Sequence, residues 1–405
     1  MPEGWRTVRL GDVLVSDNSK LGAHGEEPVV FSLSKYDGVV LADDYFDKRI
    51  ASDKLDGYKV LGPGGWAYST IHIDEGSIAT NRHGLTGVLS PMYTTMRWVG
   101  QDDDPRYFEL LLRTPRMLTV YRDHAAGTVN RRRSLAYKAF AELRVDVPPL
   151  VMQRRVVDLV DAVDTYAAAA GRAAAETRRA LDAHLEGFDT WTVSDGTALG
   201  DRASMGSGPS WKAEQERSVA GPGTLPVVKI TNTRPDGRLV MDERAFVADL
   251  PASTGVLDED SLVMIRTNGN RDRIGNVYRC TPETVGHAVS AFQIAVHPFD
   301  PADSAYLFWY LRSPRVQRLI SEAASGTTGL GNVAVRWLRQ LEVPWPDAST
   351  RAVFVDTAEA MLTASESASD VGEGLSGLRS ALLGELLAGD REIPGSYDEL
   401  VRLVA

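Results

Sequence analysis

The 405-residue chain holds a single cysteine, Cys280. That excludes an internal disulfide and any cysteine-rich zinc site, and it fits a reducing cytoplasm. No apolar run reaches the length of a membrane span, and Met1-Pro2-Glu3-Gly4-Trp5 lacks the apolar core of a signal peptide. A cytoplasmic place away from membranes is therefore expected. No stretch reads Gly-x4-Gly-Lys-Ser/Thr, so a phosphate-cradling loop of that kind is missing; Gly62-Pro63-Gly64-Gly65 reads as a surface turn instead. The seven histidines show no metal-ligand spacing: His72 and His83 lie too far apart for a compact helical pair. A basic balance is also missing. The net charge of −11 argues against a simple nucleic-acid binder.

What is present is ordinary globular material, 43% hydrophobic and 24% charged, long enough for two to three domains. It is also a repeat. Leu112-Arg113-Thr114-Pro115-Arg116 returns as Leu311-Arg312-Ser313-Pro314-Arg315, Gly127-Thr128 as Gly326-Thr327, and Asp37-Gly38 as Asp236-Gly237, all at an offset of 199, the difference between 312 and 113. Leu10-Gly11-Asp12 matches Leu199-Gly200-Asp201 at 189, so an insertion of about ten residues separates the registers. Two copies of one unit imply two copies of one surface. Charge is also local. Residues 113–138 carry Arg113, Arg116, Arg122, Arg131, Arg132, Arg133 and Lys138 against Asp123 alone, and residues 264–280 carry Arg266, Arg271, Arg273 and Arg279 against Asp272. The acids collect elsewhere, which fits basic faces on a protein whose remaining surface meets other things.

Four segments and a tail follow in order. Residues 1–148 read as an irregular, strand-rich unit, with strands at Pro28-Val29-Val30-Phe31-Ser32-Leu33, Val39-Val40-Leu41 and Tyr58-Lys59-Val60-Leu61. A helix is expected over 45–50 and another, continuous, over 105–122. Across 149–188, Val156, Val160, Val163, Ala167, Ala170, Ala174, Thr177, Leu181, His184 and Phe188 alternate spacings of four and three, the signature of a coiled coil. Forty such residues span about 60 Å. Residues 189–347 repeat the first unit, with Val227-Val228 matching Val29-Val30 and a helix over 306–319. Residues 348–390 form a second long helix with a seam at Phe354, Ala358, Met361, Ser365, Ala368, Gly372 and Leu375. Residues 391–405 remain as a tail. The two seams are expected to pair antiparallel.

This order resembles the DNA-specificity subunit of type I restriction–modification systems. The resemblance rests on Trp5 with Leu10-Gly11-Asp12, repeated as Trp191 with Leu199-Gly200-Asp201. It rests also on Leu33-Ser34-Lys35-Tyr36-Asp37-Gly38, on Gly87-Val88-Leu89-Ser90-Pro91-Met92-Tyr93, and above all on Leu143-Arg144-Val145-Asp146-Val147-Pro148-Pro149-Leu150 running into Gln153-Arg154-Arg155. It covers the chain to about Asp390. The second unit departs from it: Leu341-Glu342-Val343-Pro344-Trp345-Pro346 is followed by Thr350-Arg351, without the glutamine–arginine pair.

The resemblance implies an α+β fold: two tandem α/β target recognition domains, separated by two long helices that pair as an antiparallel coiled coil with pseudo-twofold symmetry. It implies a non-catalytic subunit, and the chain has no Asn-Pro-Pro-Tyr/Phe motif with which to hold an adenine for methylation. The implied partners are double-stranded DNA and two methyltransferase subunits, which would supply S-adenosylmethionine; motor-nuclease subunits are left open. No cofactor is expected on this chain. The paired helices would act as a ruler for a bipartite, asymmetric target, since half-sites one to one and a half turns apart have centres about 35–50 Å apart.

Arginine and lysine address guanine, and asparagine or glutamine adenine. In the first unit this selects Lys35, Ser69, Thr70, His72, Asn81, Arg82, His83, Thr128, Asn130, Arg131, Arg132 and Arg133. In the second it selects Lys229, Asn232, Arg266, Asn268, Asn270, Arg271, Arg273, Thr327, Thr328 and Asn332. Asn81, Asn130 and Asn268 read equally as turn residues. Replacing Arg131, Arg132 and Arg133 together should flatten the dependence of log affinity on log salt by roughly two if at least two reach phosphates. The rival readings are a repeat scaffold, a specificity-like subunit of another phage-defence system, and an enzyme using His72 and His83 with Asp74 or Glu75.

Overall fold

The computed structural model describes residues 3–23, 28–45, 55–126, 134–190, 197–234, 237–324 and 331–399. The chain divides into two compact units, one of Met1–Ala169 with Val371–Ala405 and one of Ala170–Asp370. Each contains half of both long helices.

The first unit is built on a four-stranded antiparallel sheet in the order Leu14–Ser16, Tyr93–Trp98, Trp66–Ser69, Ile78–Thr80. Its central strand Trp66–Ser69 is buried along its whole length because both faces are covered. Trp66 and Tyr68 point into one core with Ile78, Met96, Phe108 and Tyr121, while Ala67 joins a second with Phe31, Leu61 and Ala79. The second unit repeats the plan with Ala203–Ser207, Gln293–Pro298, Leu262–Ile265 and Val277–Arg279. Leu262 and Met264 face one core, and Val263 and Ile265 the other.

The repeated Leu-Gly-Asp has the same work in both units. Leu10 N donates to Leu143 O, and Leu199 N to Leu341 O, each at 2.8 Å. A Cβ on Gly11 would lie 2.9 Å from Ala141 O, and one on Gly200 3.0 Å from Arg339 O, so the close approach requires glycine. The expected match of Val29-Val30 with Val227-Val228 holds in pairing: Val30 bridges Val88 in parallel, as Val228 pairs with Val289. The second unit differs by a further four-stranded sheet of Glu216–Arg217, Ala245–Ala248, Thr224–Val228 and Ala288–Val289.

Two helix expectations need correction. The helix expected over 105–122 is two helices, Pro105–Leu112 and Pro115–His124, and that over 306–319 is Ser304–Arg312 and Pro314–Ala323. Proline cannot supply the amide that a continuous helix needs and pushes the residue before it out of helical geometry. Thr114 and Ser313 are extended there and cap the following helix, accepting from the Met117 and Val316 amides. The helix expected over 45–50 is instead the short Ala42–Tyr45, with residues 46–50 outside those described.

The long helices run over Leu150–Glu186 and Ala348–Ala388. Their seams are the buried stripes. In the first unit Val156, Val157 and Val160 pack with Leu386 and Leu387, and Asp164 pairs with Arg379 at 2.5 Å. In the second, Ser365 Oγ donates to Ala174 O at 3.0 Å, and His184 stacks on Phe354 with ring centres 4.1 Å apart. Within each unit the helices are antiparallel.

The missing glutamine–arginine pair has a structural substitute. Buried Gln153 donates to Asp103 Oδ1 at 2.6 Å and to Pro148 O at 2.9 Å. Arg351 donates to Asp303 Oδ1 at 2.9 Å and to Pro346 O at 2.6 Å. The same clasp at the start of a long helix is made by an amide in one unit and a guanidinium in the other. In the tail, Ile393 and Tyr397 join the first unit's core, and Asp398 takes a two-pronged bond from Arg155 at 2.8 and 2.6 Å.

Candidate nucleic-acid interface

In each unit, the end of the central sheet strand meets two turns. In the first unit that strand is Trp66–Ser69. Thr70 O accepts from Leu135 N at 2.8 Å, and Thr70 Oγ1 donates to Met92 O at 3.5 Å. In the second unit that strand is Leu262–Ile265. Arg266 O accepts from Val333 N at 3.0 Å, and Arg266 N donates to Phe292 O at 2.8 Å. Thr70 and Arg266 therefore hold equivalent places, one residue past the strand and beside a matching pair of chain segments. Ser90 and Ser290 shape the two outer turns, their hydroxyls accepting from Met92 N at 3.5 Å and Phe292 N at 3.3 Å.

The second unit gathers Arg266, Asn268, Asn270, Arg271 and Asn332 here. Thr267–Asn268 pairs with Gly331–Asn332, and Thr267 Oγ1 donates to Asn332 Oδ1 at 2.9 Å. Asn268 Oδ1 accepts from Asn270 N, and Asn270 Oδ1 caps the turn of Arg271–Arg273 through Asp272 N. Asn270 and Arg271 are exposed. Arg273 turns inward to Thr233 Oγ1 at 2.7 Å. Arg266 donates to Val333 O and Ala291 O, which pins it against both turns.

The first unit divides its selected residues between two places. Thr70 lies at the strand end, with Ala126 and Ser134 bridging beside it. Lys35, Arg82 and His83 instead line a groove of about 1210 Å³ with Glu75, Glu109, Arg113 and Arg379. There Lys35 pairs with Glu75 at 3.2 Å, and Glu75 with His72 at 3.0 Å. Hydrogen bonds from His72 and then Lys35 hold the Glu75 carboxyl below its ordinary value. Burial lowers the Arg113 guanidinium, and Arg379 and Arg82 nearby add repulsion. Arg82 bonds Glu109 at 2.8 Å, and His83 bonds Val39 O at 2.7 Å. Of His72, His83, Asp74 and Glu75, His72 bonds Glu75, whereas His83 stacks on Phe31.

Three selected residues are structural. Asn81 is 2% exposed; its amide donates to Leu61 O and Leu85 O and its oxygen accepts from His83 N. Asn232, also 2% exposed, holds Val240 O, Glu243 O and Lys229 N in the same manner. Ser69 is buried within the strand end. The amides of Asn81 and Asn232 have donors and acceptor engaged within the fold. Lys229 pairs with Glu216 at 2.7 Å. Thr128, Asn130, Arg131, Arg132, Arg133, Thr327 and Thr328 lie outside the described residues.

Sequence reasoning passed over two cations. Lys59 donates to Tyr93 O at 2.6 Å, on the turn that carries Met92, and exposed Lys20 bridges to Lys59. Burial lowers the Lys59 ammonium, with Lys20 repulsion adding to it. Nothing in a lone lysine within an apolar strand marks it beforehand. Among the described residues no group of three histidine, cysteine, aspartate or glutamate side chains could hold a metal, and no helix is long and apolar enough to cross a membrane.

No family model and no curated protein matches the sequence. Solved structures do match. The HsdS subunit from Thermoanaerobacter tengcongensis aligns over 96% of this chain and 98% of its own at 16% identity, with a TM-score of 0.54. A chain from a structural study of complex assembly and conformational transition of the type I R-M system aligns over 96% and 99% at 16% identity, TM-score 0.63. The S subunit of a type I restriction-modification system from M. genitalium aligns over 94% and 96% at 11% identity, TM-score 0.51. Two tandem mixed helix-and-sheet units joined through long helices are thus the shared architecture, and the chain has the fold of type I restriction–modification specificity subunits.

Proposed function

We propose that this chain is the DNA sequence-specificity subunit of a type I restriction–modification methyltransferase. It reads a bipartite, asymmetric target and positions partner methyltransferase subunits on it; the partners carry S-adenosylmethionine and the chemistry. The observation that supports this most directly is the duplicated strand end. Two units of one topology present polar turns at the same place, Thr70 with Met92 and Arg266 with Phe292, but furnish them with different side chains. Equal scaffolds with unequal reading residues suit a target whose halves differ in sequence. Shared fold with specificity subunits points the same way. The net acidity fits a molecule whose remaining surface meets protein.

Mapping of methylated adenines in the host with and without the gene tests the proposal. Loss of methylation at one two-part motif is the expected result. Deleting residues that form one unit's turns, with the methyltransferase intact, should abolish that motif and leave the enzyme's assembly unchanged. An unaltered methylome on removal of the gene contradicts the proposal and favours a repeat scaffold.

A further inference from the structure

Each unit exposes one large apolar side chain at the same position of its plan. Met92 is 61% exposed and Phe292 51% exposed. Each stands on the turn that opens the same sheet strand, Tyr93–Trp98 or Gln293–Pro298, two residues after the serine that shapes the turn. Each carbonyl accepts from the residue just past the central strand, Thr70 or Arg266. A cation is bonded into each turn: Lys59 Nζ to Tyr93 O at 2.6 Å, Arg266 Nη1 to Ala291 O at 3.4 Å. Scattered exposed apolar residues need no explanation. A matched pair, set beside a cation at equivalent places of two units and bonded to the residue just past each central strand, is a different observation.

A surface that combines fixed positive charge with a protruding apolar group suits a ligand that is anionic outside and apolar within. Nucleic acid has that build. We infer that Met92 and Phe292 are specificity-determining residues, each touching a base of the half-site that its unit reads. The inference rests on the DNA-reading function proposed above. A thioether chain and a phenyl ring offer a phosphate nothing, whereas they pack on the thymine methyl or into a base step. Their contribution is therefore to sequence choice and carries no ionic part. The differing shapes, one flexible and one flat, let the same position accept different bases in the two halves.

The test uses the complex reconstituted with its methyltransferase subunits and a duplex carrying the motif found by methylome mapping. Affinity is measured across a range of salt for wild type, Met92→Ser, Phe292→Ser, the conservative Phe292→Leu, and Arg271→Ala as a charged reference. Both side chains are largely exposed, so folding should survive; thermal melting of each variant checks this. Each serine variant should weaken binding about five- to hundredfold, the range of one lost base contact. The slope of log affinity on log salt should stay at the wild-type value, while Arg271→Ala lowers it. Duplexes altered one base pair at a time should show relaxed choice at one position in one half for Met92→Ser, and in the other half for Phe292→Ser. Leucine should restore most of the affinity. Wild-type affinity in both serine variants, a flattened slope in them, or loss of methyltransferase assembly with DNA affinity retained would each overturn the inference while the DNA-reading function stands. A wild-type complex with no preference among duplexes would remove both.

Discussion

At the scale of single residues, asparagines show how one chemistry serves two purposes. Asn81 and Asn232 have the donor and acceptor pair that suits adenine, and both spend it on the fold. Asn268 and Asn270 have the same groups, and Asn270 is exposed at the turn. Sequence alone does not separate these cases, because the deciding quantity is burial. Replacing Asn81 with alanine leaves the Leu61 and Leu85 carbonyls without their donor and should cost about 1–3 kcal/mol. In a unit of this size that lowers the melting temperature by about 2–4 °C per kcal/mol. A melting curve superimposable on wild type would refute the structural assignment. Asp347 gives a pH-dependent case. Its carboxylate accepts from the Ser349 hydroxyl, the Thr350 amide and the Thr350 hydroxyl, which hold it well below the usual carboxylate range. The folded value lies below the unfolded one, so the stabilisation is complete above the unfolded value and is lost as pH falls through the folded one. Asp347→Ala should therefore melt below wild type at pH 7, and the two melting curves should draw together as the pH is taken down towards 2. A gap independent of pH would exclude the capping role.

At the scale of elements, periodicity was the most legible signal. The seam from Phe354 through Ala358 and Ser365 is the buried stripe of its helix, and the stripe from Val156 to Phe188 is buried at most of its positions. It was legible because spacings of four and three put side chains on one face whatever surrounds them. The helix breaks at Thr114 and Ser313 were equally present in the sequence, as proline behind a hydroxyl residue, yet the apolar spacing runs across them and masks the stop. Phe354 carries the second unit's seam: it is 6% exposed and lies against His184 and Phe188. Phe354→Ala should cost about 3–5 kcal/mol, read as a lower midpoint in urea unfolding. A change below about 1 kcal/mol would mean that the neighbours close the cavity, against the packing described.

At the scale of the whole molecule, the repeat was legible because its signature residues make backbone contacts that cannot be relaxed. Arg113 donates to Lys35 O and Tyr36 O, beside Gly38 at φ +75°, and Arg312 lies against Gly237 at φ +91°. Turn and arginine had to recur together. The strand-end turns carry different side chains in the two units, Thr70 with Met92 in one and Arg266 with Phe292 in the other, so the repeat marks their place but not their chemistry. If the long helices act as the ruler proposed, four residues inserted between Ala169 and Ala170, matched by four between Asp370 and Val371, add about 6 Å of helix. Methylated motifs should then show a gap longer by one or two base pairs. The original spacing in that methylome would count against the ruler.

The clasps at the helix starts bear on how such a gene can change. Asp103 and Gln153 both precede the middle of the first long helix, and Asp303 and Arg351 both follow it and precede the middle of the second. Each fastening is therefore inherited whole by its own half. A crossover between two related genes within the alanine-rich stretch would keep both fastenings whole but would part Arg155 from Asp398 and Asp164 from Arg379, so compensating changes in such a hybrid are expected at those two pairs.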